Sequence, residues 1–163
     1  MSTKLRSKPK LIALTGPKGV GKSTYAKFLA GENGVVLSFA TPIKDMLRVF
    51  IKDEYIDTHK EELIPHIGTT ARTLLQTLGT EWGRDTINPD IWVNVMRRKL
   101  CHGMFDEYHP VIIDDLRFKN EAEMVRQLDG EVWKVARKGF DSDVNDKHIS
   151  EAGLTDWDKS VLL

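Results

Sequence analysis

The sequence predicts a three-layer α/β fold built on a parallel sheet. Short, continuous apolar runs at 11–14, 35–39, 111–113 and 132–136 are typical of strands buried on both faces. Helical patterns lie between these runs, and strands that alternate with helices form parallel sheets through crossover connections. A glycine-rich segment joins the first apolar run to the first helical pattern. We therefore expect helices packed on a central parallel sheet.

The helices are predicted from apolar spacing and from the residues at their ends. The first covers 22–30 and stops at Gly31. The second begins at Thr41-Pro42, an N-cap followed by proline in the first turn. Its apolar stripe has the spacing i, i+3, i+4, i+7 and consists of Ile43, Met46, Leu47 and Phe50.

Three more helical patterns follow. One covers 70–78, with Ala71, Leu74, Leu75 and Leu78 on one stripe and Gly79 as its end. The other two cover 90–100 and 118–128, and a last strand is expected at 161–163. The polar stretch 52–68 fits no single pattern.

Composition limits the class of protein. With 163 residues we expect one domain over 10–163, preceded by a flexible basic tail at 1–9. The 24 basic residues balance the 24 acidic ones, which excludes a global basic field for nucleic acid. No apolar run approaches the roughly 18 residues of a membrane span, and the N-terminus has no signal-peptide core. The single cysteine, Cys101, fits a reducing cytoplasm.

The segment after the first strand matches the phosphate-binding pattern G-x-x-x-x-G-K-[ST] in full. Glycines allow the backbone N–H groups to converge on an anion, and the helix N-terminus adds its dipole. Lys22 is predicted to contact the β- and γ-phosphates of ATP, and the Ser23 hydroxyl to bind Mg²⁺. The predicted ATP-binding residues are Gly16, Pro17, Lys18, Gly19, Val20, Gly21, Lys22, Ser23 and Thr24.

This loop predicts the nucleotide but not the reaction. The chain has no N-K-x-D segment, so a guanine-selective G protein is disfavoured. A kinase of a small acceptor is the leading class for a chain of this length. Within that class the acceptor is either a nucleotide or another small phosphate or alcohol. A nucleotide-binding module without kinase activity is the remaining alternative. The choice between ATP and GTP as donor stays open.

A kinase that phosphorylates a nucleotide must hold a second polyanion, which requires further cations. Lys44 lies in the first turn of the helix after 38–40. Arg72 and Gln76 are four residues apart and share the polar face of the 70–78 helix. Arg72 is predicted to grip a phosphate, and Gln76 to bond a base edge. We expect the acceptor-binding segment at about 38–95.

Two candidate sites follow later strands. Asp114, Asp115 and Arg117 lie beyond the strand 111–113, at the carboxyl edge where α/β sheets bind ligands. One carboxylate is predicted to hold the water shell of Mg²⁺ or to orient the acceptor oxygen. Arg117 is predicted to neutralise charge on the transferred group. Arg137 follows the strand 132–136 and is predicted to contact ATP. The polar stretch 137–150 is either a mobile cover or a plain surface loop.

Taken together, these stretches resemble the deoxynucleoside monophosphate kinases of bacteriophages. The matching segments are GPKGVGKST (16–24), SFATPIK (38–44), ARTLLQTLGTEWGR (71–84), DIWV (90–93), DDLRFKNEAE (114–123) and HISE (148–151). The resemblance implies a nucleotide-kinase P-loop fold, ATP and Mg²⁺, deoxynucleoside monophosphates as acceptors, and a homodimer. A phage-encoded enzyme of this kind is expected in the host cytoplasm.

The resemblance also implies site residues. Asp115 and Arg117 match the D-x-R of the active centre, so Lys22, Asp115 and Arg117 are the predicted catalytic residues, and Ser23 and Asp115 the predicted metal ligands. Arg72, Gln76, Thr80 and Arg84 match acceptor-binding positions, and Trp82 either stacks on a base or packs in the core. The predicted acceptor-binding residues are Phe39, Ala40, Lys44, Arg72, Gln76, Gly79, Thr80, Trp82 and Arg84.

Two features depart from the family pattern. Asp114 stands where a small or neutral residue is expected, so the role of metal-side carboxylate is open between Asp114 and Asp115. The sequence also ends inside the last predicted strand, where the family pattern continues into a closing helix.

Overall fold

A computed structural model describes residues 11–103, 105–139 and 154–163. The predicted tail at 1–9, the HISE segment and most of 137–150 lie outside these ranges. The helices and strands are β1 (Leu11–Thr15), α1 (Lys22–Ala30), β2 (Val35–Leu37), α2 (Thr41–Leu47), α3 (Asp53–Asp57), β3 (Leu63–Ile64), β4 (Thr69–Thr70), α4 (Ala71–Gln76), a π-helix (Thr77–Ile87), α5 (Ile91–Cys101), β5 (Val111–Ile113), α6 (Lys119–Gln127), β6 (Glu131–Ala136) and β7 (Lys159–Leu162).

Five strands form one parallel sheet in the order β2-β5-β1-β6-β7. The register places Ile12 of β1 opposite Ile112 of β5. All five residues of β1 are buried, as expected of a strand covered on both faces. The α/β class and the parallel sheet flanked by helices are therefore confirmed.

The chain divides into two compact units. The first comprises the described residues up to Ser38 and those from Arg97 onward, and it contains the parallel sheet. Its core packs side chains of the sheet against the inner face of α1, and consists of Ile12, Leu14, Val20, Ala26, Ala30, Ile112, Trp133 and Val135.

The second unit, Phe39–Met96, has a core of its own. A short antiparallel hairpin of β3 and β4 lies within it. The buried residues of this core are Leu47, Ile51, Ile56, Ile64 and Ala71, with Leu74, Leu75 and Leu78 packed against them. The unit has nearly the bounds of the predicted acceptor-binding segment, whose function stays a prediction.

Several predicted boundaries and faces near α2 are wrong. β2 ends at Leu37, two residues earlier than predicted. Ala40, not Thr41, is the N-cap of α2. Met46 and Phe50 are exposed, and Phe50 lies beyond the end of α2 at Leu47.

The helix expected to end at Gly79 does not end there. α4 passes into the π-helix at Thr77, and helical structure continues to Ile87. The indole Nε1–H of Trp92 donates to the Gly79 carbonyl oxygen at 2.7 Å. Gly79 therefore lies inside helical structure, and the Trp92 indole adds a contact to it from α5.

Candidate active site

The glycine-rich loop after β1 has a backbone that only glycine fits at two positions. Gly16 has φ of 141°, and a Cβ there would lie 2.4 Å from the carbonyl oxygen of Val135 on β6. Gly21 is the left-handed N-cap of α1, with φ of 107°. These conformations turn the chain sharply between strand and helix. They place the loop at the N-terminus of α1, where anions are favoured.

Lys22 opens α1 and folds back over the loop. Its Nζ donates to the carbonyl oxygens of Gly16 and Pro17, at 2.7 Å each. Val20 anchors the loop in the core with 1% exposure, whereas Lys18 is exposed. The ammonium group therefore lies against the backbone of the loop, and its contact with phosphates stays a prediction.

Two carboxylates follow β5, and each meets a different serine. The Ser23 hydroxyl donates to Asp114 Oδ2 at 2.8 Å. The Ser38 hydroxyl, just beyond β2, donates to Asp115 Oδ2 at 2.6 Å. The sequence named Ser23 and Asp115 as metal ligands and left the metal-side carboxylate open between Asp114 and Asp115; the carboxylate that accepts from Ser23 is Asp114. Ser38 belongs to the SFATPIK segment, and no sequence signal pairs it with Asp115.

Neighbouring strands hold the chain as it leaves β5. The Asp114 N–H donates to the Leu37 carbonyl of β2, and the Leu116 N–H to the Leu14 carbonyl of β1, each at 3.1 Å. Leu116 is fully buried. Because β5 lies between β2 and β1 in the sheet, these bonds fix the pair of aspartates at the carboxyl edge beside the loop.

The oxygen atoms of Ser23 and Asp114 are suitable ligands for a magnesium ion. Mg²⁺ prefers hard oxygen ligands and is usually held by one or two carboxylates or hydroxyls together with phosphate oxygens. The Ser23 hydroxyl and the Asp114 carboxylate supply oxygens of this kind within 2.8 Å of each other. Ser23 and Asp114 therefore fit the Mg²⁺ ion that the loop motif implies.

The remaining residues predicted to bind the donor lie at the same edge. Arg137 is exposed and follows β6 directly. The Leu163 side chain, which the sequence did not indicate, approaches the loop: a Cβ on Gly21 would lie 3.3 Å from Leu163 Cδ1. No sequence signal points to this contact, because it depends on the pairing of β7 with β6.

In the second unit, Arg72 and Gln76 share α4 at a spacing of one turn, as predicted. Thr70 caps this helix, and its hydroxyl accepts from the Thr73 N–H at 3.2 Å. The Arg72 guanidinium is ion-paired with the carboxylate of Glu61. A phosphate bound by Arg72 would therefore have to displace the exposed Glu61 carboxylate or share the guanidinium with it.

Lys44 is also paired. Its Nζ lies 3.2 Å from Asp57 Oδ1, and Asp57 accepts a second bond from Arg48. Partial burial raises the pKa of Asp57, but the hydrogen bonds and charges of Lys44 and Arg48 outweigh it, so that the net pKa is lowered. Asp57 is therefore ionised at neutral pH and holds Lys44 in place.

The π-helix holds the last of the predicted acceptor residues. Thr80 and Arg84 are each 7% exposed, and Arg84 donates to the Pro89 carbonyl oxygen at 3.1 Å. Trp82 is 39% exposed, while Gly79 is buried close to Ile43. Phe39 is buried and Ala40 half-buried, so the predicted residues differ widely in their access to solvent.

Among the described residues, no helix combines the length and apolarity needed to cross a bilayer.

Comparison with known proteins agrees with this architecture. Residues 61–163 match the family model for deoxynucleotide monophosphate kinase. An Acanthamoeba polyphaga mimivirus protein named as a deoxynucleotide monophosphate kinase is 35% identical over 159 residues. That alignment covers 88% of this chain and 81% of the viral protein.

A second relative is the deoxynucleoside-5'-monophosphate kinase of Escherichia phage T5, 26% identical over 106 residues. The match covers 62% of this chain and 41% of the phage protein, so the chain spans less than half of that relative. The family match covers more than half of the chain and includes the paired carboxylates after β5, and the mimivirus alignment covers 88% of the chain. The chain belongs to the deoxynucleotide monophosphate kinase family.

Proposed function

We propose that this phosphotransferase moves the γ-phosphoryl group of Mg²⁺-bound ATP to a deoxynucleoside monophosphate, giving ADP and a deoxynucleoside diphosphate. The kinase activity on deoxynucleoside monophosphates follows from the family. The observation that carries the donor side is the meeting of Lys22, Ser23 and Asp114 around the N-terminus of α1. The two alternatives, a kinase of another acceptor and a module without kinase activity, are set aside by the family.

The bonds of the reaction balance without a base. An ionised phosphate oxygen of the acceptor attacks the γ-phosphorus, and the bond from that phosphorus to the β,γ-bridging oxygen breaks. Because the attacking oxygen already carries negative charge, no proton must be removed first. The task of the protein is to hold two polyanions in line and to offset their charge.

On the donor side, loop N–H groups and the α1 dipole bind the phosphates. The Lys22 ammonium offsets charge on the β- and γ-phosphates. Ser23 and Asp114 would hold Mg²⁺, which when bound neutralises phosphate charge and orients the chain of phosphates. Asp115, held by Ser38, is proposed to face the acceptor, and Arg117 to offset charge on the transferred group.

On the acceptor side, we assign the phosphate to Arg72 and Lys44 and the base to Gln76. The ion pairs with Glu61 and Asp57 support this assignment, because each holds a long cationic side chain in one region before substrate arrives. A phosphate dianion carries more charge than a carboxylate and accepts two parallel bonds from a guanidinium. Because Arg84 is buried, we propose that it stabilises the π-helix and does not contact the acceptor directly.

An acceptor panel tests the proposal. The purified chain is incubated with dAMP, dGMP, dCMP or dTMP, with ATP or GTP as donor, and diphosphate formation is followed by chromatography. We expect ADP and a deoxynucleoside diphosphate in equal amounts, and only when an acceptor is present. Release of ADP at the same rate without any monophosphate would contradict the proposal. The panel also identifies the bases accepted.

We also propose that the enzyme is a homodimer, as the family resemblance implies. Light scattering coupled to gel filtration should give twice the 18.5 kDa mass of the chain. A mass of one chain at all concentrations used for activity would contradict it.

A further inference from the structure

A buried glutamate lies next to the predicted catalytic arginine. The backbone N–H of Arg117 donates to Glu121 Oε2 at 2.8 Å, and the N–H of Phe118 donates to the same oxygen at 3.0 Å. Glu121 is in the first turn of α6 and is 2% exposed. One carboxylate oxygen thus receives both backbone donors at the junction of the β5–α6 loop with the helix.

Glu121 is buried although its side chain can be ionised, so its burial must be compensated by local contacts. Removing a carboxylate from water is costly unless hydrogen bonds replace the hydration. Here two backbone donors and the N-terminal end of α6 supply that replacement. Glu123, two residues later on the same helix, shows the ordinary alternative: its side chain is 54% exposed and it pairs with Lys119.

The two bonds complete the anchoring of the loop. The sheet already fixes the loop at Asp114 and Leu116 through the carbonyls of β2 and β1. Glu121 fixes the following two residues from the helix side. Together with the sheet bonds, Glu121 therefore holds the backbone from which the Arg117 side chain leaves. Small misplacements of a charge-stabilising group reduce phosphoryl transfer strongly.

We propose that Glu121 is a positioning residue for Arg117, and that its carboxylate contributes to phosphoryl transfer only by holding the Arg117 backbone. This inference rests on the proposed function of Arg117. It predicts an effect on kcat with little effect on substrate binding, because Glu121 itself touches neither substrate.

A double-mutant cycle tests the proposal. Glu121→Ala is expected to lower kcat about 10-fold, with KM values for ATP and monophosphate changed less than about 3-fold. Glu121→Gln keeps an oxygen acceptor in the same place and should retain most of kcat. In an Arg117→Ala background, Glu121→Ala should change kcat less than about 2-fold, because the group it positions is gone.

The matched control is Glu123→Gln, which removes an exposed carboxylate from the same helix and should leave kcat unchanged. Circular dichroism confirms that each variant is folded. If Glu121→Ala does not fold, Glu121→Asp replaces it: the charge stays, but the oxygen is withdrawn by one methylene. The same loss of kcat and the same absence of a further loss beside Arg117→Ala are then expected.

The outcomes separate the two proposals. If Arg117→Ala alone leaves kcat unchanged, the function proposed for Arg117 is wrong, and so is the inference about Glu121. If Arg117→Ala lowers kcat but the Glu121 change does not, the proposed function stands and the positioning is wrong. If the two losses multiply in the double variant, Glu121 acts independently of Arg117, which also overturns the positioning.

Discussion

Lys22 supplies the positive charge that we propose for the donor phosphates. Its ammonium is held at the loop by the Gly16 and Pro17 carbonyls, where an anion would be met by a full positive charge. Lys22→Ala should lower kcat by about 100-fold or more, the loss typical of a preorganised electrostatic contact. Steady-state kinetics on the folded variant measure it.

The matched control for this change is Lys27→Ala, which removes an exposed lysine from the same helix. It should leave turnover near that of the parent enzyme. Near-normal kcat in folded Lys22→Ala would mean that the loop does not bind the donor.

The two aspartates after β5 should differ in their link to Mg²⁺. Asp114 meets Ser23 and Asp115 meets Ser38, so we assign only Asp114 to the proposed donor side. Asp114→Asn should raise the Mg²⁺ concentration needed for half-maximal rate by about 10-fold or more, as expected for loss of a charged ligand. Asp115→Asn should lower kcat with the Mg²⁺ dependence unchanged. Titration of Mg²⁺ at saturating substrates distinguishes the two variants. If Asp115→Asn changed the Mg²⁺ dependence and Asp114→Asn did not, Asp115 would be the metal ligand.

Arg72 tests the acceptor side. Arg72→Ala should raise KM for the deoxynucleoside monophosphate by about 10- to 100-fold, which is the ~1.5–3 kcal/mol of a hydrogen bond to a charged group. Arg72→Lys should rescue only in part, because an ammonium cannot reproduce the two parallel guanidinium bonds. Calorimetric titration of each nucleotide separately measures the effect.

Affinity for ATP should be almost unchanged in both Arg72 variants. The control is Arg98→Ala, which removes an exposed arginine that is not among the predicted site residues. Equal weakening of donor and acceptor binding, or of neither, would show that the acceptor site is placed wrongly.

At the scale of elements, the π-helix is the feature that departs most from expectation. Its buried residues Gly79, Thr80, Gly83 and Arg84 repeat at a spacing of four, on one side of a wider turn. Gly83 lies under Trp92: a Cβ there would be 2.8 Å from the indole Cζ2. The ring and its bond to the Gly79 carbonyl thus brace the π-helix from α5.

Removing that brace should destabilise the second unit. Trp92→Phe leaves the buried Gly79 carbonyl without the indole donor, which should cost about 1–3 kcal/mol of unfolding free energy. Urea denaturation followed by circular dichroism measures it. The control, Trp82→Phe, changes a more exposed indole on the π-helix itself and should cost much less. Similar losses in both variants would contradict a specific brace at Trp92.

At the scale of the whole molecule, binding of the donor should raise the melting temperature. Ligand at 100 times its Kd stabilises a folded chain by about 2.7 kcal/mol. For a chain of this length that corresponds to a rise in Tm of roughly 5–10 °C. Differential scanning fluorimetry with ATP and Mg²⁺ measures it. Chelation of Mg²⁺ with EDTA should remove most of the rise, and an equal rise without Mg²⁺ would contradict the proposed cation site.

The sequence by itself determined the parallel sheet, the position of the phosphate-binding loop and the bounds of α1. Buried parallel strands are continuous apolar runs, and a glycine-rich loop has a fixed relation to the strand before it and the helix after it. These features are local, so they can be read from neighbouring residues. The family resemblance followed from the motifs themselves, and the comparisons confirmed it.

Only the tertiary structure decided which aspartate meets the loop and where the fourth helix ends. Ser23 and Asp114 are 91 residues apart, and Ser38 and Asp115 are 77 apart, so the register of three neighbouring strands chooses between two adjacent carboxylates. The glycine at position 79 has the local signal of a helix end, but helical structure continues through it to Ile87, and an indole 13 residues away donates to its carbonyl. In both cases the observed arrangement includes a hydrogen bond between residues distant in the sequence, which local patterns do not predict.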